Sequence, residues 1–260
     1  MKKKAKNQPI NKENRKNKAA FFDIDGTLFR SSLLVEQFKI LIKREIIDPK
    51  VWFDEIKPLY DQYDKRYGEY DNYLLTLTTQ YQKKLKGISL EYINKLSKEI
   101  VQRNKDIVYR VTRKALNRHR KDGYKIFFIS GSPDFLVNEF AKYYKADYCI
   151  GTKYIFDKDN KFTGDIRPMW DSKNKIKALN FLCEKFDIDL NNSYAYGDTN
   201  GDLSILKAVS NPIAVNPSFE FLTKIIEDID LSKKTKVYIE RKDVLYEYNL
   251  ENKNVEFKKF

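Results

Sequence analysis

The sequence predicts an α/β fold, a doubly wound and mostly parallel sheet with an all-helical insertion after its first strand. Three observations carry that expectation. The apolar run at residues 19–24 ends in two carboxylates, Asp23 and Asp25, and a Gly-Thr turn, as a buried strand does at its exposed end. Beyond residue 107, short β-branched or aromatic runs alternate with amphipathic stretches, the pattern of βαβ units. Between these two regions, residues 32–106 hold long amphipathic stretches with few β-branched runs.

The elements follow in chain order. Leu33, Leu34, Val35, Phe38, Leu41 and Ile42 recur at helical spacing, and Pro49 opens a second helix. Tyr60, Tyr63, Tyr67, Tyr70, Leu74, Leu77 and Tyr81 form a stripe at steps of three and four. Residues 90–101 give one more helix. Residues 108–120 read as a helix stopped by Asp122-Gly123, and its His119, between two arginines, reads as a solvated residue. A strand at 124–129 ends in Ser130-Gly131-Ser132-Pro133. Pro133 suits the first turn of the next helix, and Ser132 reads as its cap. A short strand at 147–150, a hairpin about the turn 157–160, a helix at 173–186 and strands at 193–196 and 213–215 complete the alternation. The last residues alternate as a terminal hairpin.

This gives a basic tail at 1–18, a core at 19–31 and 107–230, the helical insertion at 32–106, and an extension at 231–260. The tail holds eight basic residues and one acid, over half of the net charge of +13, and such runs are solvated and disordered. Contact with nucleic acid is therefore disfavoured. No run reaches the roughly 18 apolar residues of a membrane span, and the tail lacks the apolar core of a secretory signal. Cys149 and Cys183 have no CxxC spacing and read as buried thiols of a reducing compartment. A soluble, cytoplasmic protein is expected.

Carboxylates at a strand end are too costly to desolvate for packing alone, so a metal or a reacting group is the reason for them. Four polar signatures fall at strand ends or helix starts: Asp23/Asp25, Ser130, Lys175 and Asp198/Asp202. In that order, Asp-x-Asp-Gly-Thr with a downstream Gly-Asp-x-x-x-Asp resembles the haloacid dehalogenase-like (HAD) phosphatases over residues 19–217. Asn174-Lys175-Ile176-Lys177-Ala178-Leu179 is similar to the Gly-Lys-x-x-Ala-Leu pattern of the phosphoserine-phosphatase-like branch, subfamily IB. Lys173 is the fallback for the motif lysine.

The resemblance implies a HAD-type Rossmann-like core, a helical C1 cap and a Mg²⁺-dependent phosphatase acting on a small phosphorylated metabolite. It implies Asp23 as the nucleophile that forms an aspartyl-phosphate, and Asp25 as the acid and base. Asp23, the carbonyl of Asp25 and Asp198 would hold the metal, with Asp202 a ligand through water or an orienter of Asp198. Ser130, Gly131 and Lys175 would bind phosphoryl oxygens. Thr27 would orient the nucleophile or the phosphate, and Arg30 would touch the leaving group. Phosphoserine phosphatases carry a carboxylate nine residues beyond the nucleophile and an arginine in the cap. Here the first position is Ser32, and no arginine lies between Arg66 and Arg103. Phosphoserine is thus one alternative, a phosphotransferase or mutase a second, and a nucleic-acid-binding protein a third. The tyrosine stripe reads as core packing of the cap, with an aromatic cage for a quaternary ammonium as the other reading.

Overall fold

A computed structural model describes residues 16–250. Most of the basic stretch at 1–18 and the last residues of the extension lie outside that range. Eight strands form one sheet: β1 (Ala19–Phe22), β2 (Lys125–Pro133), β3 (Tyr148–Phe156), β4 (Phe162–Arg167), β5 (Tyr194–Gly197), β6 (Asn211–Val215), β7 (Lys236–Arg241) and β8 (Val244–Asn249). Their spatial order is β4-β3-β2-β1-β5-β6-β7-β8. The six inner strands pair in parallel, and only the two edge strands run antiparallel. The chain builds one half of the sheet from β1 outward, then returns to β1 and builds the other. Strand ends diverge at such a reversal, and ligands bind there.

β1 is Ala-Ala-Phe-Phe with no exposed surface. Side chains alternate across a strand, so Ala20 and Phe22 face one hydrophobic core and Ala19 and Phe21 the other. The second core is closed by α7 (Ser172–Phe186), α8 (Leu203–Ala208), α9 (Phe219–Glu227) and α10 (Ile229–Lys234). The first is closed by α5 (Arg110–Lys121) and α6 (Asp134–Tyr144), together with the helices that follow β1. These are α1 (Leu33–Lys43), α2 (Lys57–Asp64), α3 (Tyr70–Leu85) and α4 (Leu90–Asn104). Leu33, Phe38, Leu77, Tyr81, Leu96 and Ile100 from this insertion share one continuous core with Phe22 and Phe128 of the sheet.

Several boundaries depart from expectation. The tyrosine stripe is two helices, because the chain turns at 65–69, where Arg66 takes φ 65°. Tyr67 falls in that turn and is 87% exposed. Tyr60, Tyr63, Tyr70 and Tyr73 instead pack ring on ring at 5.1–6.5 Å. A single wide, π-type helical stretch, Val51–Ile56, precedes α2. β3 runs unbroken from the strand expected at 147–150 into the first arm of the hairpin expected about 157–160. β2 continues through Pro133, which caps α6 from outside rather than entering its first turn. The terminal hairpin extends the main sheet, β7 pairing with β6. Cys149 and Cys183 are free and only partly buried. No helix among the described residues is long and apolar enough to cross a membrane.

Candidate active site

The C-terminal ends of β1, β2 and β5 and the start of α7 converge on one cluster of polar side chains. The turn after β1 is fixed by its own backbone: Leu28 and Phe29 N–H donate to the Ile24 carbonyl at 2.9 and 2.7 Å, and Gly26 N–H donates to the Phe29 carbonyl at 2.8 Å. Gly26 has φ 83°, and a Cβ there would lie 2.1 Å from Asp198 Oδ2. Glycine is therefore needed for both its backbone and its lack of bulk. The Asp23 N–H donates to the Tyr196 carbonyl at 3.0 Å, tying β1 to β5 where both reach the site.

Lys175, buried near the start of α7, donates from Nζ to Asp23 Oδ1 at 2.7 Å and to Asp202 Oδ1 at 2.5 Å. Lys173, the fallback, is exposed. Burial lowers the Lys175 ammonium pKa, but the charges of Asp202 and Asp23 outweigh that and hold it above the usual lysine range. The other oxygen of Asp202 accepts the backbone N–H groups of Asp198 and Thr199, at 3.2 and 3.3 Å. Asp202 thus fixes the turn after β5, and both of its oxygens are engaged. Gly197 permits this approach, since a Cβ on it would lie 2.4 Å from Asp202 Cβ.

Asp23, Asp198 and Asp202 each bring a carboxylate oxygen within 4.8 Å of the others. Burial pushes the Asp23 carboxyl up to about 8, helped by the charges of Asp202 and Asp25 and opposed by Lys175. Burial and the neighbouring Asp23 charge also raise Asp198 well above the carboxylate range. One lysine does not balance these acids, and an all-oxygen, hard donor set short of positive charge fits a divalent cation such as Mg²⁺. The Thr27 hydroxyl donates to Asp198 Oδ1 at 2.8 Å. It therefore holds the side chain of a candidate metal ligand.

Asp25 lies beside the cluster, and its charge acts on Asp23. Its Oδ1 accepts from the Leu33 N–H at 2.9 Å, and its Oδ2 from Ser132 Oγ at 2.5 Å and Ser32 Oγ at 3.4 Å. Burial raises its carboxyl, and these donors oppose the rise. Ser132 is not the helix cap its position suggested, since α6 has no side-chain cap. It is a site residue that the sequence concealed. Ser130 is fully buried, and its Oγ accepts from the Ser132 N–H at 3.1 Å. Gly131, next to it, has Trp170 Cβ 3.0 Å from where its own Cβ would be.

Arg30 is exposed, with its guanidinium 5.9 Å from the centre of the Tyr109 ring. Burial and then the Asp198 charge raise the Tyr109 phenol, while Arg30 opposes the rise. From the insertion, the Tyr70 phenol is raised by burial and then by the charges of Asp25 and Asp198. The insertion thus meets Asp25 directly through Ser32 and the Leu33 N–H, and the Tyr70 phenol also feels the charges of Asp25 and Asp198.

His119 is the other correction. It is 1% exposed, and its Nε2 lies 2.8 Å from the Tyr196 hydroxyl. Tyr196 stacks on Phe22 at 4.3 Å, so this network lies directly beneath the strand ends that carry Asp23 and Asp198.

Comparison with known proteins adds four findings. A family model described as haloacid dehalogenase-like hydrolase matches residues 20–207. A histidinol-phosphatase of Neisseria meningitidis serogroup C (strain 8013) is 24% identical over 205 residues, 77% of this chain and 91% of the relative. Among solved structures, a protein of unknown function from Bordetella pertussis Tohama I superposes with TM-score 0.64 at 20% identity, covering 82% of this chain and 96% of that one. A phosphoserine phosphatase solved as a phospho-aspartyl intermediate analogue gives TM-score 0.55 at 20% identity, covering 88% and 96%.

Proposed function

This chain belongs to the haloacid dehalogenase-like hydrolase family, and we propose that it is a phosphatase cleaving a small phosphorylated metabolite through an aspartyl-phosphate on Asp23. The observation that carries this reading is the buried Lys175 bridge from Asp23 to Asp202, set against Asp198 at the strand ends. It pairs a carboxylate nucleophile with fixed positive charge at a point where a phosphate dianion can be held.

In this reading a carboxylate oxygen of Asp23 attacks phosphorus, an O–P bond forms, and the ester bond to the leaving alcohol breaks. Asp25 gives that alcohol its proton. Asp25 then takes a proton from the attacking water, the acyl-phosphate P–O bond breaks, and inorganic phosphate leaves with Asp23 restored. Ser132, Ser32 and the Leu33 N–H hold Asp25 in one orientation for both transfers. Ser130 Oγ, the Gly131 N–H and Lys175 Nζ are the groups assigned to the equatorial phosphoryl oxygens. Asp23, Asp198 and the Asp25 carbonyl would hold Mg²⁺, with Asp202 and Thr27 orienting Asp198. When bound, the cation supplies positive charge that screens nucleophile from phosphate. Residues 32–106 act as the cap, and Ser32 at its start contacts Asp25 directly.

Ser32 bears on the substrate. At the position where phosphoserine phosphatases place a carboxylate for the substrate ammonium, this chain spends a hydroxyl on Asp25. That weighs against phosphoserine. A phosphotransferase using the same intermediate would differ by needing an acceptor alcohol before phosphate leaves Asp23. The experiment is a screen of phosphorylated metabolites with Mg²⁺, run beside Asp23→Asn. Release of free phosphate without an acceptor, abolished by EDTA and by Asp23→Asn, is the expected result. Full activity in Asp23→Asn would sink the assignment.

A further inference from the structure

The net charge of this chain is confined to two places. Residues 1–18 carry a net +7 and α5 a net +6, together equal to the +13 of the whole chain, so the other 230 residues balance. Within α5, Thr112, Ala115, Leu116 and His119 are buried against the sheet. The remaining arc presents Arg110, Arg113, Lys114, Asn117, Arg118, Arg120 and Lys121, all exposed. A helix repeats every 5.4 Å, so each turn of this arc offers a cation to the same side.

Nothing in the described fold neutralises that face. None of the six cations forms a salt bridge among the described residues. Of the nearby acids, Glu240 is occupied by the first N–H groups of α5, at 3.0 and 2.8 Å, Asp106 accepts from the Tyr143 hydroxyl, and Asp122, at the C-terminal cap of α5, forms no salt bridge among the described residues. Repulsion among like charges at steps of three and four costs stability, so the arrangement is not explained by packing.

The choice of cation narrows the partner. The chain as a whole has 39 lysines and 11 arginines, whereas α5 reverses the ratio with four arginines and two lysines. Lysine serves wherever charge alone is needed. Arginine adds a planar fork that binds phosphate through two hydrogen bonds. The outward arc also holds no apolar side chain that could enter a bilayer, because the apolar side of α5 is spent on the sheet. Lys18, the last residue of the basic N-terminal stretch, lies just past the C-terminal end of the same helix, its ammonium 4.5 Å over the Tyr124 ring.

We propose that the outward face of α5 is a docking surface for the phosphate backbone of a nucleic acid. Such binding is sequence-independent and falls steeply with salt, because each neutralised phosphate releases counterions. It is separate from the carboxylate site and does not depend on the reaction assigned there.

The test uses the full chain and a fluorescently labelled oligouridylate RNA, with anisotropy read between about 50 and 200 mM salt. The variant is Arg113→Glu/Lys114→Glu/Lys121→Glu. It should bind at least tenfold more weakly than the native chain at the lower salt, with the salt slope reduced by about 2. Its activity on an aryl phosphate should be unchanged, which also reports that it folds. Should the triple variant not fold, Lys114→Glu and Lys121→Glu taken singly should each lower the slope by about 0.7. Arg110→Lys/Arg113→Lys should weaken binding several-fold at constant charge. Equal RNA binding by native and triple-variant chains would overturn the proposal. So would native binding to phosphatidylserine vesicles with none to RNA, which would make the surface a membrane contact.

Discussion

Ser132 shows how much of this site rests on single hydrogen bonds. Its hydroxyl is 2.5 Å from Asp25, opposite the helix N–H of Leu33, so the Asp25 carboxylate is gripped from two sides. A hydrogen bond to a charged group contributes about 1.5–3 kcal/mol, which converts to roughly a 10- to 100-fold change in rate. Ser132→Ala should therefore lower kcat by about that factor. KM should move little, and steady-state kinetics on an aryl phosphate would check both. Asp23, Asp25, Lys175 and Asp198 were legible because each follows a strand or opens a helix in a fixed motif order. Ser132 was not, since a serine before Pro133 satisfies helix-capping logic equally well. The same limit applied to Thr27, whose partner Asp198 lies 171 residues away.

At the scale of elements, α5 meets β5 at a buried polar contact, His119 to Tyr196. Burial first, and then the positive charge of Arg118, pushes the imidazole down to about 4. In the unfolded chain it titrates near its ordinary value of 6.5. Above pH 6.5 both states are neutral and the pair costs nothing. As pH falls from 6.5 toward 4 the unfolded state binds the proton first, so stability drops across that window and levels off below it. Urea midpoints at pH 7.5 and 5 should thus fall further for the native chain than for His119→Gln. The signal for its burial was present in the sequence: Thr112, Ala115, Leu116 and His119 follow one helical stripe, and the flanking arginines concealed it. The break between α2 and α3 left a weaker trace. The tyrosine spacing runs straight through it, and only Gly68, two residues after the positive-φ Arg66, marks the turn.

Across the whole molecule, the insertion shares its hydrophobic core with the sheet, from Tyr81 and Leu96 through to Phe22 and Phe128. Such continuity predicts one cooperative unfolding transition instead of two. The two tryptophans make that testable, since Trp52 lies in the insertion against Tyr60 and Trp170 beside the site glycine Gly131. Single-tryptophan chains carrying Trp170→Phe or Trp52→Phe should report the same denaturant midpoint, once each is referred to its own circular-dichroism transition. Separate midpoints would mean that the insertion unfolds alone. The doubly wound core was legible because strand–helix alternation is a long, repeated signal. The shared core was not, since periodicity shows which face of a helix is apolar but not which neighbour covers it.

The central claim is that Asp23 carries the phosphoryl group. Acid-quenched turnover of an aryl phosphate with Mg²⁺, followed by peptide mapping by mass spectrometry, tests it most directly. The account predicts a phosphoryl group on the peptide containing Asp23, more abundant when Asp25→Asn slows hydrolysis of the intermediate, and absent in Asp23→Asn. Phosphate release at the native rate by the Asp23→Asn chain, or a phosphoryl group on any other residue, would contradict it.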